Sequence, residues 1–63
     1  MQRKLLRLPK VEEITGIKKS KIYSLISMNK FPRQILITDR AVGWDSESIA
    51  RWVSEKINEK ELQ

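Results

Sequence analysis

The sequence of 63 residues contains no cysteine and no histidine. These side chains form disulfides and supply the usual zinc ligands, so their absence argues against a disulfide-stabilised or zinc-stabilised domain. A chain of this length buries only about 60% of its unfolded surface. We therefore expect residues 1–63 to form one small domain, whose stability comes from packing alone or from assembly with a partner.

Several functional motifs are also missing. No apolar run approaches the ~20 residues that a membrane-spanning helix needs. The basic N-terminus is followed by an apolar stretch that Arg7 and Pro9 interrupt, which is not the pattern of a signal peptide. The sequence has neither a G-x-x-x-x-G-K-[ST] phosphate loop nor a G-x-S-x-G nucleophile elbow. We expect a cytoplasmic protein that is not an enzyme, has no catalytic residues and binds no membrane, metal, cofactor or small molecule.

The positive charge is concentrated in the first two thirds of the chain. Residues 1–40 carry ten Lys or Arg against three acidic residues, whereas residues 41–63 carry three against five, and the net charge is +5. This asymmetry is typical of a protein with one side facing a polyanion. Charge alone does not distinguish nucleic acid from an anionic membrane, so the pattern within the basic part must.

Residues 14–28 have the pattern of the turn and second helix of a helix-turn-helix. We expect a first helix over about residues 9–15, a turn at Gly16 and a second helix over about residues 19–29. At about 100° per residue, the second helix has an apolar side and a polar side. The apolar side carries Ile22, Leu25, Ile26 and Asn29, and the polar side carries Ser20, Ser24 and Ser27, flanked by Lys19, Lys21 and Tyr23.

The polar side of this helix suits a DNA major groove. Small residues let a helix lie deep in the groove, hydroxyls can bond base edges or phosphates, and lysines neutralise phosphates. Lys18 occupies the N-cap position, where Ser, Thr or Asp is preferred and where a cation opposes the helix dipole. This unfavourable placement also suggests a phosphate contact. The alternative is an ordinary amphipathic helix with a solvated face.

The first helix is expected to contribute to the core. It should bury Val11 and Ile14, and Glu12 and Glu13 should lie in its first turns, where carboxylates interact favourably with the helix dipole. Ile17 should close the turn against the core. Residues 3–8, ahead of this helix, are expected to form a brief extended segment that packs on the core.

A small β-hairpin and a third helix are expected after Phe31, itself a core candidate. Residues 34–37 and 41–44 indicate two short strands joined by a turn at residues 38–40, and so small a hairpin must pack on the helices. Asp45 is a good N-cap for the last helix. An apolar stripe then follows at helical spacing. Trp44, Ile49, Trp52, Val53 and Ile57 are expected in the core, and the polar residues 58–63 are expected to fray.

The candidate DNA-binding surface combines the second helix and the hairpin. Its residues are Lys18, Lys19, Ser20, Lys21, Tyr23, Ser24, Arg33 and Arg40. Arg40 lies at the hairpin tip, where an arginine can contact the backbone or enter a narrow A·T-rich minor groove, and Arg33 lies at the base. Tyr23, at the rim of the apolar face, could bury its ring or donate to a phosphate. The alternative for the cations is plain solubilising charge.

The order helix, turn, helix, hairpin, helix is that of a small winged helix. The fragments along it are Arg7-Leu8-Pro9, Val11, Thr15-Gly16-Ile17, residues 20–26, Lys30-Phe31-Pro32, residues 40–44, Ile49 and Trp52-Val53. With these fragments in this order, residues 7–53 resemble the AlpA family of phage and prophage DNA-binding regulators, which share a MerR-like winged-helix fold with small excisionases. The expected fold is mainly α with a small β-hairpin, a winged helix-turn-helix.

The resemblance implies a nucleoid-associated transcription regulator, often of genes that control prophage excision. The second helix would be the recognition helix and the hairpin the wing. The MerR relatives carry a dimerisation helix and an effector domain that this sequence does not show, so inducer sensing is not implied. A single module makes an interface of only about 600–1,000 Å², so several copies should bind cooperatively. The expected partners are double-stranded DNA, further copies of the chain, and RNA polymerase or a recombinase.

Two alternatives remain open. An excisionase-like architectural protein, which bends DNA and recruits a recombinase, uses the same fold. A protein-interaction module or inhibitor is favoured by the acidic free face of the last helix, which carries Glu47, Glu55 and Glu59, but the basic first part of the chain argues against it.

Overall fold

The computed structural model describes residues 3–61, with the side chains of residues 3–59. Its elements are β1 (Leu5–Leu6), α1 (Leu8–Thr15), α2 (Lys19–Ser27), β2 (Ile35–Thr38), β3 (Ala41–Asp45) and α3 (Ser46–Glu61). The predicted winged helix-turn-helix is confirmed, with one additional short strand ahead of α1. No helix within residues 3–61 is both long and apolar enough to cross a membrane.

The three strands form one antiparallel sheet in the order β1-β3-β2. The N-terminal segment predicted to pack on the core is thus an edge strand, with Leu6 opposite Trp44. The strand β1 can approach β3 closely because β3 has no side chain at Gly43. A Cβ atom at this position would lie 2.9 Å from the Leu6 carbonyl oxygen and closer still to Ile37. The close approach therefore requires glycine, although the sequence gives no sign of it.

Both tryptophans belong to the packed interior, as predicted. Trp44 is fully buried, donates its indole N–H to the Pro32 carbonyl oxygen at 3.0 Å and meets the Tyr23 ring edge-on at 6.1 Å. Trp52 is half-buried, donates to the Lys30 carbonyl oxygen at 2.8 Å and packs on the neighbouring phenylalanine ring. The buried core comprises Val11, Ile22, Ile26, Phe31, Trp44 and Ile49.

Two predicted core residues are instead exposed. Ile14 is 42% exposed and Ile57 is 53% exposed. Ile14 lies in the last turn of α1, whose only fully buried residue is Val11, and Ile57 lies near the end of the long α3. A core of six residues is too small to cover both helix ends, as expected for so short a chain.

The second helix ends earlier than the sequence predicted, at Ser27 rather than Asn29. Asn29 has a left-handed backbone with φ of 59°, which asparagine tolerates better than most residues. The Lys30 N–H then donates to the Leu25 carbonyl oxygen at 2.8 Å, which satisfies one of the last carbonyls of the helix. The helix therefore ends two residues sooner than expected.

The hairpin and α3 follow the predicted order with shifted limits. The strand β2 begins and ends one residue later than predicted and carries an irregularity between Leu36 and Thr38. The helix α3 continues past Ile57 to Glu61, so its described polar end is helical. Fraying of this end remains a prediction, and residues 62 and 63 lie outside the described residues.

Asp45 caps α3, as predicted, and also binds the N-terminal segment. Its carboxylate accepts the Glu47 N–H at 3.3 Å and the Ser48 hydroxyl at 3.1 Å. The Arg3 guanidinium donates to the same carboxylate at 2.7 Å. The hydrogen bond from Arg3 is the main reason why the pKa of Asp45 falls from 3.8 to about 2. The Asp45 carboxylate thus links the start of α3 to the N-terminal segment that carries Arg3.

This depressed pKa predicts an acid-sensitive contribution to stability. In the unfolded chain Asp45 takes up its proton near pH 4, whereas the folded protein keeps it ionised to about pH 2. The contribution is therefore complete above about pH 4 and is lost as the pH falls towards 2. Asp45→Asn should keep the cap, since Asn caps as well as Asp, but lose this pH dependence.

Thermal melts between pH 2 and pH 6 test the prediction. The melting temperature of the wild type should exceed that of Asp45→Asn above about pH 4, and the difference should shrink towards pH 2. Glu55→Gln is the control, because Glu55 is exposed and forms no ion pair among the side chains of residues 3–59. A wild-type advantage that is constant over this range would contradict the assignment.

Candidate nucleic-acid interface

The turn between α1 and α2 is held by local hydrogen bonds. Gly16 adopts a left-handed conformation with φ of 77° and donates its N–H to the Glu12 carbonyl oxygen at 2.8 Å. The Thr15 hydroxyl donates to the Val11 carbonyl oxygen at 2.7 Å and accepts the Ile17 N–H. Ile17 packs against the core. The predicted turn glycine and the predicted packing of Ile17 are both confirmed.

The N-terminus of α2 is capped from the preceding helix. Lys18 makes no side-chain cap hydrogen bond. Instead a Glu12 carboxylate oxygen accepts the Lys19 N–H at 2.9 Å. The sequence had placed Glu12 and Glu13 in the first turns of α1, but that helix begins at Leu8 and no acidic residue lies in its first turn. The Glu12 carboxylate therefore compensates for the poor local cap.

Removing this cap should destabilise the domain measurably. Glu12→Ala is expected to cost about 1 kcal/mol, the usual cost of losing a helix N-cap. Glu12→Gln should cost less, because the amide oxygen can still accept the Lys19 N–H. Urea unfolding followed by circular dichroism measures both changes.

Glu13→Ala is the matched control for this prediction. Its carboxylate pairs only with the exposed Lys10 among the described side chains, and exposed ion pairs contribute little. If Glu12→Ala and Glu13→Ala lowered stability equally, the capping bond would have no special contribution.

The exposed face of α2 is the predicted polar face. Ile22 and Ile26 anchor the opposite side in the core, and Leu25 is half-buried. The Ser27 hydroxyl is already used, since it donates to the Ser24 carbonyl oxygen at 2.7 Å. The solvent-facing residues are Lys18, Lys19, Ser20, Lys21, Ser24 and Ser27.

Tyr23 lies between the two faces. Its ring is half-buried and packs edge-on against Trp44. The sequence left open whether this residue buries its ring or points to a ligand, and its ring is now placed against the core. The partial exposure of the residue is compatible with a hydroxyl that reaches solvent.

The lysine ammonium groups of α2 form no ion pair among the described side chains. Among the side chains of residues 3–59, every ion pair lies outside α2. Lys18, Lys19 and Lys21 form none of them. The three ammonium groups can therefore interact with an external anion without breaking an internal pair.

The two candidate arginines lie on different parts of the fold. Arg33 donates to the Asn29 side-chain oxygen at 2.8 Å, which ties it to the residue that reverses the chain after α2. Arg40 is exposed at the β2–β3 turn, where its own N–H donates to the Thr38 hydroxyl at 3.2 Å. The bond between Arg33 and Asn29 could not be read from the sequence, which placed Asn29 inside the helix.

The groups on this surface are suited to molecular recognition. Its hydroxyls can donate and accept hydrogen bonds, and its cations lie on a helix that is anchored in the core. Within residues 3–59, no group of acidic side chains is arranged to hold a metal ion. This arrangement can bind phosphates and base edges.

Comparison with known proteins identifies a regulatory family. The family described as "Prophage CP4-57 regulatory protein (AlpA)" matches residues 4–57, a stretch that includes the predicted resemblance over residues 7–53. "Uncharacterized protein ORF88" of Enterobacteria phage P4 is 32% identical over 56 residues, which are 89% of this chain and 64% of that protein. The chain thus spans less than two thirds of the length of that relative. The family is one of regulatory proteins rather than enzymes, and the chain belongs to the AlpA family of prophage regulatory proteins.

Proposed function

We propose that this protein is a sequence-specific regulator of transcription that binds double-stranded DNA. The helix α2 would enter the major groove, and the β2–β3 hairpin would act as a wing on the backbone or in the minor groove. The observation that carries the proposal is the exposed face of α2. Its three lysines, which form no ion pair with the side chains of residues 3–59, flank two exposed serines on a helix held in the core. Such a regulator would act in the cytoplasm, at the nucleoid.

Each part of the surface has a distinct proposed role. Ser20 and Ser24 face outward between the lysines, where their hydroxyls can reach base edges and so contribute to sequence preference. The lysines contact phosphates and set the register without reading sequence. Tyr23 would add a phosphate contact from the edge of the core.

The arginines extend the contact beyond α2. Arg33 keeps further N–H donors after bonding to Asn29, because a guanidinium group has five. Arg40 presents its guanidinium at the hairpin turn, where it can contact the backbone or a narrow minor groove. With about five cations on phosphates, the logarithm of the affinity should fall with the logarithm of the salt concentration at a slope of roughly −4 to −5.

The proposal is tested by selecting bound sequences from a random pool of duplex DNA, followed by fluorescence titrations on the enriched sequence. The proteins are the wild type, Ser24→Ala, Lys21→Ala and Arg40→Ala. The wild type should enrich one motif, and Ser24→Ala should relax the preference at one position. Lys21→Ala should weaken binding to all sequences evenly and reduce the salt slope by about 1.

Other outcomes would redirect the proposal. Salt-sensitive binding without any enriched motif would favour an architectural DNA-bending role. An absence of DNA binding would return the lysines to plain surface charge, and the acidic face of α3 would then be the surface to test for protein partners. A promoter reporter with the enriched motif separates transcriptional regulation from DNA bending alone, because only a regulator changes its output.

A further inference from the structure

The strand β2 is an apolar edge of the sheet with no partner in the described chain. The strand order β1-β3-β2 leaves one side of β2 unpaired. Its four residues Ile35–Thr38 include neither a charged residue nor a proline, which often protect an exposed edge, although the strand is short and has an irregularity between Leu36 and Thr38. Leu36 is 69% exposed and Ile35 42% exposed. This edge thus offers free backbone groups together with apolar side chains.

The residues that flank this strand carry opposite charges. Arg33 precedes β2 and Asp39 follows it, and both are exposed. In an antiparallel pairing of β2 with the same strand of a second copy, with Leu36 opposite Leu36, Ile35 faces Ile37 and Arg33 faces Asp39. By symmetry each of these contacts forms twice. The same register therefore aligns apolar residues with apolar residues and opposite charges with each other.

The isoleucines of this register lie on one face of the sheet. Ile35 shares a sheet face with Gly43, its partner in β3, and the side chain of Ile37 lies against the same glycine. The paired isoleucines therefore come together on a single face.

We propose that two copies of this chain associate through their β2 edges, forming a two-fold symmetric dimer with a continuous six-stranded sheet. The charges favour a second copy as the partner. In the antiparallel arrangement, Arg33 at one end of each β2 strand faces Asp39 at the other end of its partner. Each copy uses its β2 edge in this contact, so the two-fold symmetry closes the assembly at two copies.

The dimer goes beyond the proposed function and forms without DNA. If the proposed function also holds, a two-fold dimer presents two α2 helices related by symmetry and would favour DNA sites that are inverted repeats. The association itself is measured without DNA, so its failure and the failure of DNA binding are distinguishable.

Sedimentation of the full chain over a concentration series, without DNA, is the test. The wild type should show a reversible monomer–dimer equilibrium. Leu36→Lys should abolish the dimer by placing two cations opposite each other at the centre of the edge. Ile57→Lys is the matched control, since Ile57 is similarly apolar and exposed but lies on α3, and its dimer should be unchanged.

A charge swap tests the register. Arg33→Asp alone and Asp39→Arg alone should each weaken the dimer roughly tenfold, because like charges then face each other at two symmetric positions. The double variant with both changes should recover the wild-type dissociation constant. Circular dichroism confirms that each variant is folded.

Two results would overturn the proposal. One is a wild type that remains monomeric at every concentration up to its solubility limit. The other is a dimer that neither Leu36→Lys nor the single charge changes weaken, because its interface would then lie on another surface.

Discussion

Trp44→Ala is expected to unfold the domain. The substitution removes the largest fully buried side chain, its hydrogen bond to the Pro32 carbonyl oxygen and its contact with Tyr23. Replacing a buried Trp by Ala typically costs about 3–5 kcal/mol. A domain of this length has a total stability of about 3–9 kcal/mol, at the usual value per residue. The loss is therefore comparable to the whole free energy of unfolding.

Trp44 is decisive because it joins three parts of the fold. It lies on β3, its ring meets α2 through Tyr23, and its indole N–H binds the segment that leads into β2. Trp44→Phe is expected to remain folded with a loss of about 1–3 kcal/mol, since it keeps an aromatic ring but leaves the carbonyl without its donor. Thermal and urea unfolding by circular dichroism distinguish the two variants. A Trp44→Ala protein that melts like the wild type would show that the core tolerates the cavity.

The double variant Lys19→Gln with Lys21→Gln should lose most of the DNA affinity. If both lysines contact phosphates, the slope of log affinity against log salt should become shallower by about 1.8. The same relation makes each contact worth about a factor of eight at 0.1 M salt relative to 1 M, so the affinity should fall roughly 60-fold at 0.1 M. Stability should change little, because both side chains are exposed and form no ion pair among the described residues.

A second double variant separates local contacts from overall charge. Lys10→Gln with Lys56→Gln also removes two cations, but from α1 and α3, where both lysines pair with glutamates. Both double variants lower the net charge of +5 by two. Fluorescence titrations at several salt concentrations should show a shallower slope only for the α2 variant. Equal losses in both would mean that the protein binds DNA through its general charge and not through α2.

The apolar periodicity of the sequence was sufficient to orient α2. Ile22 and Ile26 are buried as the spacing predicted, and the serines and lysines are exposed. A helix places residues three and four apart on one side, so the hydrophobic pattern alone sets which face is outward. Most of the candidate site could be proposed from sequence for this reason. The two arginines of the site, Arg33 and Arg40, followed from the base and the tip of the predicted hairpin.

Other features depend on residues that are distant in sequence. The cap of α2 comes from Glu12, seven residues away, and Arg3 binds Asp45 across 42 residues. Ile14 was wrongly predicted to be buried, because the pattern within a helix does not reveal how much core is available to cover it.

The sequence by itself determined the order of elements, the turn at Gly16, the cap at Asp45 and the outward face of α2. These depend on helix periodicity and on hydrogen bonds between residues at most four apart, which a local pattern records. Only the tertiary structure decided that β1 joins the sheet, that Glu12 caps α2 and that β2 is left as an apolar edge. Each of these depends on which distant segments meet, and that is set by the packing of the whole core around Trp44.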